Sequence, residues 1–170
     1  MAKAKVKEQT SNPTNENLLF ITKIKIKDNK ADIAYKKSNS SYAEEINHKG
    51  TEEVQNKFAE KLLENISAFI KIIPEFAKSQ KKIEINSIQF YYGNDNYLQS
   101  VIFSVKYFFN PSNKAVINIS TPKIPIYRED TACDVCVQGE DEERLHETLA
   151  LAKEYLNGAT RRTQLKLIED

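Results

Sequence analysis

The chain has 170 residues, enough for a single domain. Its 25 lysines and arginines balance 24 carboxylates, so no global charge draws it to nucleic acid or an anionic membrane. It shows neither a long uncharged apolar run nor an apolar N-terminal stretch, and its two cysteines cannot build a disulfide framework, so a membrane span, a secretory signal and a stapled secreted scaffold are not expected.

Residues 1–17 hold almost no large apolar side chains, which predicts an arm outside the core. From Leu18 the pattern changes. Leu19, Ile21, Ile24 and Ile26 read as a strand, Asp28-Asn29-Lys30 as a turn, and Ala31, Ile33 and Tyr35 as the returning strand of a hairpin. After a polar loop, Tyr42, Glu44 and Ile46 suggest a third short strand. Gly50-Thr51-Glu52-Glu53 reads as a helix start, with Thr51 capping and the glutamates facing the positive end of the dipole. Val54, Phe58, Leu62, Ile66, Phe69, Ile70 and Ile73 then recur at helical spacing until Pro74, with one further turn expected over 75–80.

Three more strands follow. Ile83, Ile85, Ile88, Phe90 and Tyr92 slip phase once, which predicts a bulge near Asn86-Ser87. Gly93-Asn94-Asp95-Asn96 is a turn, and Val101, Phe103, Val105, Tyr107 and Phe109 line one face of the next strand. Ile102 and Phe108 add apolar cover on its other face, so packing is expected on both sides of it. Asn110-Pro111-Ser112-Asn113 turns into a last strand over 115–119. Beyond Pro125 the chain reads as irregular and acidic: 128–147 holds eight carboxylates and two arginines. A second helix begins near Glu140, buries Leu145, Leu149, Ala152 and Leu156, and stops at Gly158. No internal repeat is visible. The expectation is a two-layer α+β fold: 1–17 as an arm, 18–158 as one domain with a mostly antiparallel sheet of five or six strands under two helices, and 159–170 as a tail.

Catalytic signals are absent from the pattern. Cys133-x-x-Cys136 is half of a zinc site whose other half is missing, and nearby Asp130, Asp134 and Glu140 would oppose a reactive thiolate. His48 reads as a loop residue, and His146 lies beside Glu142 and Glu143; neither falls in a catalytic frame. The sequence therefore names no catalytic residue, metal ligand or cofactor, and it reads as a binding protein. Two surfaces carry that reading. Tyr91, Tyr97, Asn94 and Asn96 surround one turn; Tyr91 should face out while Tyr92 joins the core, giving a contact surface for a base or a partner. Gln164-Leu165-Lys166-Leu167-Ile168 has the pattern of a bacterial sliding-clamp peptide, with Gln164 orienting and Leu165, Leu167 and Ile168 anchoring; folding back as a short strand is the other reading of the same residues.

Ile21-Thr22-Lys23-Ile24, the strand from Ile85 to Gly93, Thr121-Pro122 and the acidic segment before the last helix together resemble a group of small bacteriophage and prophage proteins. Many of these end in a short "SLF"-like tail, where this chain has Ile168 in place of the usual Phe. The resemblance implies a phage protein working in the host bacterial cytoplasm, as a non-enzymatic accessory to DNA metabolism that docks to the sliding clamp. Two alternatives stay open: an anti-defence protein sequestering a host immune protein or a nucleotide signal, and a single-stranded nucleic-acid binder using sheet aromatics. Expected partners are thus a host protein, nucleic acid or nucleotide, and a second copy of the chain, with no membrane.

Overall fold

The computed structural model describes residues 18–38, 43–110, 115–129 and 133–166. The arm 1–17, Tyr42, the turn residues 111–113, Leu167 and Ile168 lie outside the described residues. Strands β1 (Leu18–Lys27), β2 (Lys30–Ser38) and β3 (Ala43–Glu53) form a meander, followed by helices α1 (Asn56–Glu64) and α2 (Ile66–Ile72) and a 3-10 segment, Pro74–Lys82. Strands β4 (Ile83–Tyr92), β5 (Leu98–Asn110), β6 (Ala115–Ser120) and β7 (Ile124–Pro125) precede the long helix α3 (Glu140–Lys166). All seven strands join one antiparallel sheet, ordered β3-β2-β1-β4-β5-β6, with β7 also on β5. The expected α+β architecture holds, with three α-helices in place of two.

The local reasons are visible. Asp28 and Asn29 both have positive φ, at 51° and 58°, the backbone that a two-residue hairpin turn needs and that Asp and Asn tolerate. Ile85 and Ser87 bracket a register shift, so the bulge lies where the apolar phase slips.

Register partners share a face of the sheet, so the cross-strand rows sort its two sides. His48, Ile33, Ile24, Ile88 and Phe103 form one row. Ile85, Val105 and Ile119 form another, and both rows lie under the helices. Phe58, Leu62, Phe69, Leu145, Leu149, Ala152 and Leu156 close the core from the helical layer.

Three local readings need correction. Thr51 does not cap a helix: β3 runs to Glu53, whose partner is Lys30, and α1 begins only at Asn56. Ladder pairing with β2 overrides the capping chemistry of Gly50-Thr51-Glu52-Glu53. The long helix is broken at Asn65, whose amide donates to Lys61 O (2.9 Å) and to Thr148 Oγ1 of α3 (3.0 Å). An Asn side chain that bonds local carbonyls competes with the helical ladder, and here it ties the break to α3. Beyond Pro125 the described residues are irregular as expected, apart from one bridge between Ile126 and Val137; before it Ile124 pairs with Val101, and Ile124, Ile126 and Val137 are buried. Finally, α3 does not stop at Gly158 but continues to Lys166.

The strand order is symmetric about one seam, which the sequence does not show. The sheet order consists of two meanders that diverge from a shared β1–β4 seam, each followed by helix. Ile21-Thr22-Lys23-Ile24-Lys25-Ile26 in β1 matches Ile85-Asn86-Ser87-Ile88-Gln89-Phe90 in β4, and both strands slip register between the first and third residue. At the seam Lys23 pairs with Gln89, Ile24 with Ile88 and Lys25 with Ser87. The sheet thus divides at this seam into two halves of like strand order, β3-β2-β1 and β4-β5-β6.

Candidate functional site

Helices cover one face of the sheet, and the other is open among the described residues. Its rows run Glu45–Lys36–Phe20, Asn47–Ala34–Lys23–Gln89–Ile102, Lys49–Asp32–Lys25–Ser87–Ser104–Ser120 and Glu84–Lys106–Asn118. On this face Lys23, Lys25, Lys36, Lys49 and Lys106 outnumber Asp32, Glu45 and Glu84. The balance reverses at the start of α3, where Glu140, Asp141, Glu142 and Glu143 fill the first turn. A chain that is neutral as a whole thus carries a basic sheet face. The expected packing on both sides of β5 is not found: its open side shows half-buried Ile102 and Phe108 between small or charged neighbours. Its close serines, Ser104 and Ser120, bond each other at 2.8 Å.

A groove of about 610 Å³ crosses this face, lined among others by Phe20, Lys23, Lys36, Asn47, Gln89 and Tyr91. Tyr91 lies on the open side, as its alternation with Phe90 and Tyr92 implies, and is half-buried. Its hydroxyl donates to Gln89 Oε1 (3.1 Å), and the Lys123 ammonium sits 4.4 Å from its ring centroid. Tyr92 packs against the core; its hydroxyl donates to Ile21 O (3.0 Å), and burial pushes its pKa up to about 12.

The turn residues divide. Asn96, with φ of 64°, reaches the groove beside Tyr91. Tyr97 and Asn94 are exposed and do not line it. Tyr97 instead carries Arg128 over its ring at 5.5 Å, and that guanidinium holds Asp95 (3.2 Å), lowering the Asp95 pKa. Phe20, Lys23, Lys36 and Asn47 were missed from sequence, because only register shows that they share a face with Tyr91.

Of the tail residues, Leu167 and Ile168 lie outside the described residues. The backbone of Gln164 and Leu165 is helical, within the last turns of α3. An extended clamp-type peptide starting after a Gly158 stop is therefore not the conformation present.

A second concavity, about 460 Å³, lies between α2 and the segment before α3 and contains Cys133 and Cys136 in its wall. Burial, with a hydrogen bond to Cys133, pushes the Cys136 thiol up to about 11. The direction matches the sequence reading, but desolvation rather than the neighbouring acids is the main cause. Among the described residues, no three His, Cys, Asp or Glu side chains are grouped to hold a metal. His48 is not a loop residue; it lies on β3 with its ring against Tyr155 at 6.0 Å. His146 faces Glu142 at 3.8 Å on α3.

No family model, curated protein or solved structure matches the chain.

Proposed function

We propose that this chain is a non-enzymatic binding protein whose open sheet face takes up single-stranded nucleic acid. The observation that carries the reading is the asymmetry of the sheet: helices cover one side, while the other gathers lysines around an aromatic groove. A single strand offers phosphates and unpaired bases together. Lys23 and Lys36 would meet the phosphates, Phe20 and Tyr91 would stack bases, and Gln89 and Asn47 would pair with base edges. In a phage setting, as the sequence resemblance implies, such a protein would serve DNA or RNA metabolism in the infected cell. Clamp docking through Gln164, Leu165, Leu167 and Ile168 needs an extended segment, and the helical backbone at Gln164 and Leu165 argues for the sheet face instead.

Fluorescence anisotropy with a labelled 20-nucleotide oligo(dT), titrated at several salt concentrations, tests the proposal. Binding should weaken with salt at a log–log slope of roughly −0.7 per phosphate contacted. Lys23→Glu combined with Lys36→Glu should flatten that slope and weaken binding by at least about tenfold, from the loss of two charge contacts. Equal affinity for the double variant, or no binding of the wild type at about 100 μM, where even a weak site of roughly −5.5 kcal/mol registers, refutes it.

A further inference from the structure

The two edges of the sheet are built differently. The outer strand β3 carries Glu44, Glu45, Lys49, Glu52 and Glu53, the charged guard that keeps an edge from pairing with other chains. At the opposite edge, β6 has the sequence Ala-Val-Ile-Asn-Ile-Ser, without a charge, and it is paired only with β5 among the described strands. Val116 is 40% and Ile117 43% exposed, and next to them Phe109 is 56% exposed with its ring against Tyr107. An uncharged edge flanked by exposed large apolar side chains is the arrangement that monomeric sheets avoid.

We propose that β6 is a homodimer edge, at which a second copy of this chain adds its own β6 antiparallel about a two-fold axis. Charge selects the occupant. The β3 edge of another copy would bring its glutamates onto an apolar strand, whereas β6 meets itself with no charge to desolvate. The stretch Val116–Ser120 is centred on Asn118, so full antiparallel overlap sets Asn118 opposite its own copy, Ile117 opposite Ile119 and Val116 opposite Ser120. Each cross-strand pair is then neutral. Ile117 and Ile119 fall on the helical side, where Phe109 and Tyr107 extend the apolar patch, and Val116 and Asn118 fall on the open side. The pairing repeats at the outer edge the antiparallel contact that β1 and β4 already make at the centre. It would also join two open basic faces into one sheet. The pairing itself does not depend on nucleic-acid binding.

Sedimentation equilibrium on the full chain, without nucleic acid, tests this directly. The wild type should sediment as a dimer at micromolar concentration, and Asn118→Lys and Asn118→Glu should each dissociate to monomers, with dimerisation weakened by roughly tenfold or more from like charges facing each other. Circular dichroism should show both variants folded, since Asn118 is exposed and makes no core contact. An equimolar mixture of the two variants should recover the dimer. A monomeric wild type at about 100 μM, far above the concentration a specific dimer needs, overturns the proposal. So does a dimer that survives either single variant, or a mixture that stays monomeric.

Discussion

The β2–β3 register slips between the Lys30–Glu53 and Asp32–Lys49 pairs, and adding one methyl group at Gly50 tests this bulge against the helical layer. A Cβ there would collide with the Ala31 carbonyl oxygen, lie 2.9 Å from Ala31 N and 2.6 Å from the Tyr155 hydroxyl. Ordinary contact needs about 3.4 Å or more, so Gly50→Ala must push β2 away from β3 or displace the Tyr155 side chain. Tyr155 could swing aside, but Ala31 is fully buried backbone in a paired strand and cannot yield locally. Overpacking of this kind costs roughly 1–3 kcal/mol, and the backbone component favours the upper half of that range. For a domain of this size the melting midpoint should fall by about 4–12 °C, at roughly 2–4 °C per kcal/mol. Gly158→Ala supplies the control of opposite sign. Nothing lies within 4 Å of a Cβ there, and the residue is inside α3, so alanine should stabilise by up to about 1 kcal/mol through helix propensity. Thermal and urea melts followed by far-UV circular dichroism read both. A neutral Gly50→Ala would refute the bulge geometry. A destabilising Gly158→Ala would refute the continuous helix, since it would place Gly158 in a left-handed stop.

Other outcomes follow from the side chains already described. Burial alone would raise the Asp141 pKa, but hydrogen bonds from Lys71 (2.6 Å) and Ser67, with the Lys71 and Arg144 charges, outweigh it and hold it below the ordinary carboxylate value. Stability contributed by Asp141 is therefore complete above the unfolded pKa, about 4, and is lost as pH falls through the lower folded value. Asp141→Asn should cost about 2 kcal/mol at pH 7 and shrink the acid-induced loss, as urea melts from pH 7 to 2.5 would show; an unchanged acid limb would mean that the pair carries no linkage. Tyr91→Ala should weaken oligo(dT) binding by roughly 1–3 kcal/mol while costing less than that in stability, and a loss of 3 kcal/mol or more in a urea melt would make it a core residue. Replacing Cys133 and Cys136 by serine should shift stability by no more than about 0.5 kcal/mol, and stoichiometric zinc in a metal assay would reverse the structural reading of that pair.

What the sequence showed well was what one strand or one helix decides alone. The 28–29 turn, the bulge at Asn86, the outward Tyr91 and the α3 stripe each follow from a few adjacent residues and their period. What it hid was decided between strands. Thr51 looked like a cap because its neighbours are good cap chemistry, yet β3 continues past it to Glu53, with eight of its residues paired to β2. The groove could not be assembled from sequence because Phe20, Asn47 and Gln89 come from three strands, and only the register brings them to one face. Gly158 misled for the complementary reason: glycine permits a stop but does not require one.

The β1–β4 seam lies at the middle of both the core and the open face. Its central pair, Ile24 with Ile88, is fully buried. The flanking positions break the symmetry: Lys23 and Lys25 of one half correspond to Ser87 and Gln89 of the other. On the helical side the halves stayed alike, because both must fill one core with I-x-x-I spacing and a bulge that turns the strand. On the open side no packing constraint acts, and there the halves diverged into lysines on β1 and small or amide side chains on β4. Only two aligned positions, Ile21 with Ile85 and Ile24 with Ile88, are identical between β1 and β4, and such a pattern is common to any pair of half-buried strands. Pairing geometry rather than residue identity relates the two meanders, and the face free of core packing is where a ligand surface can form.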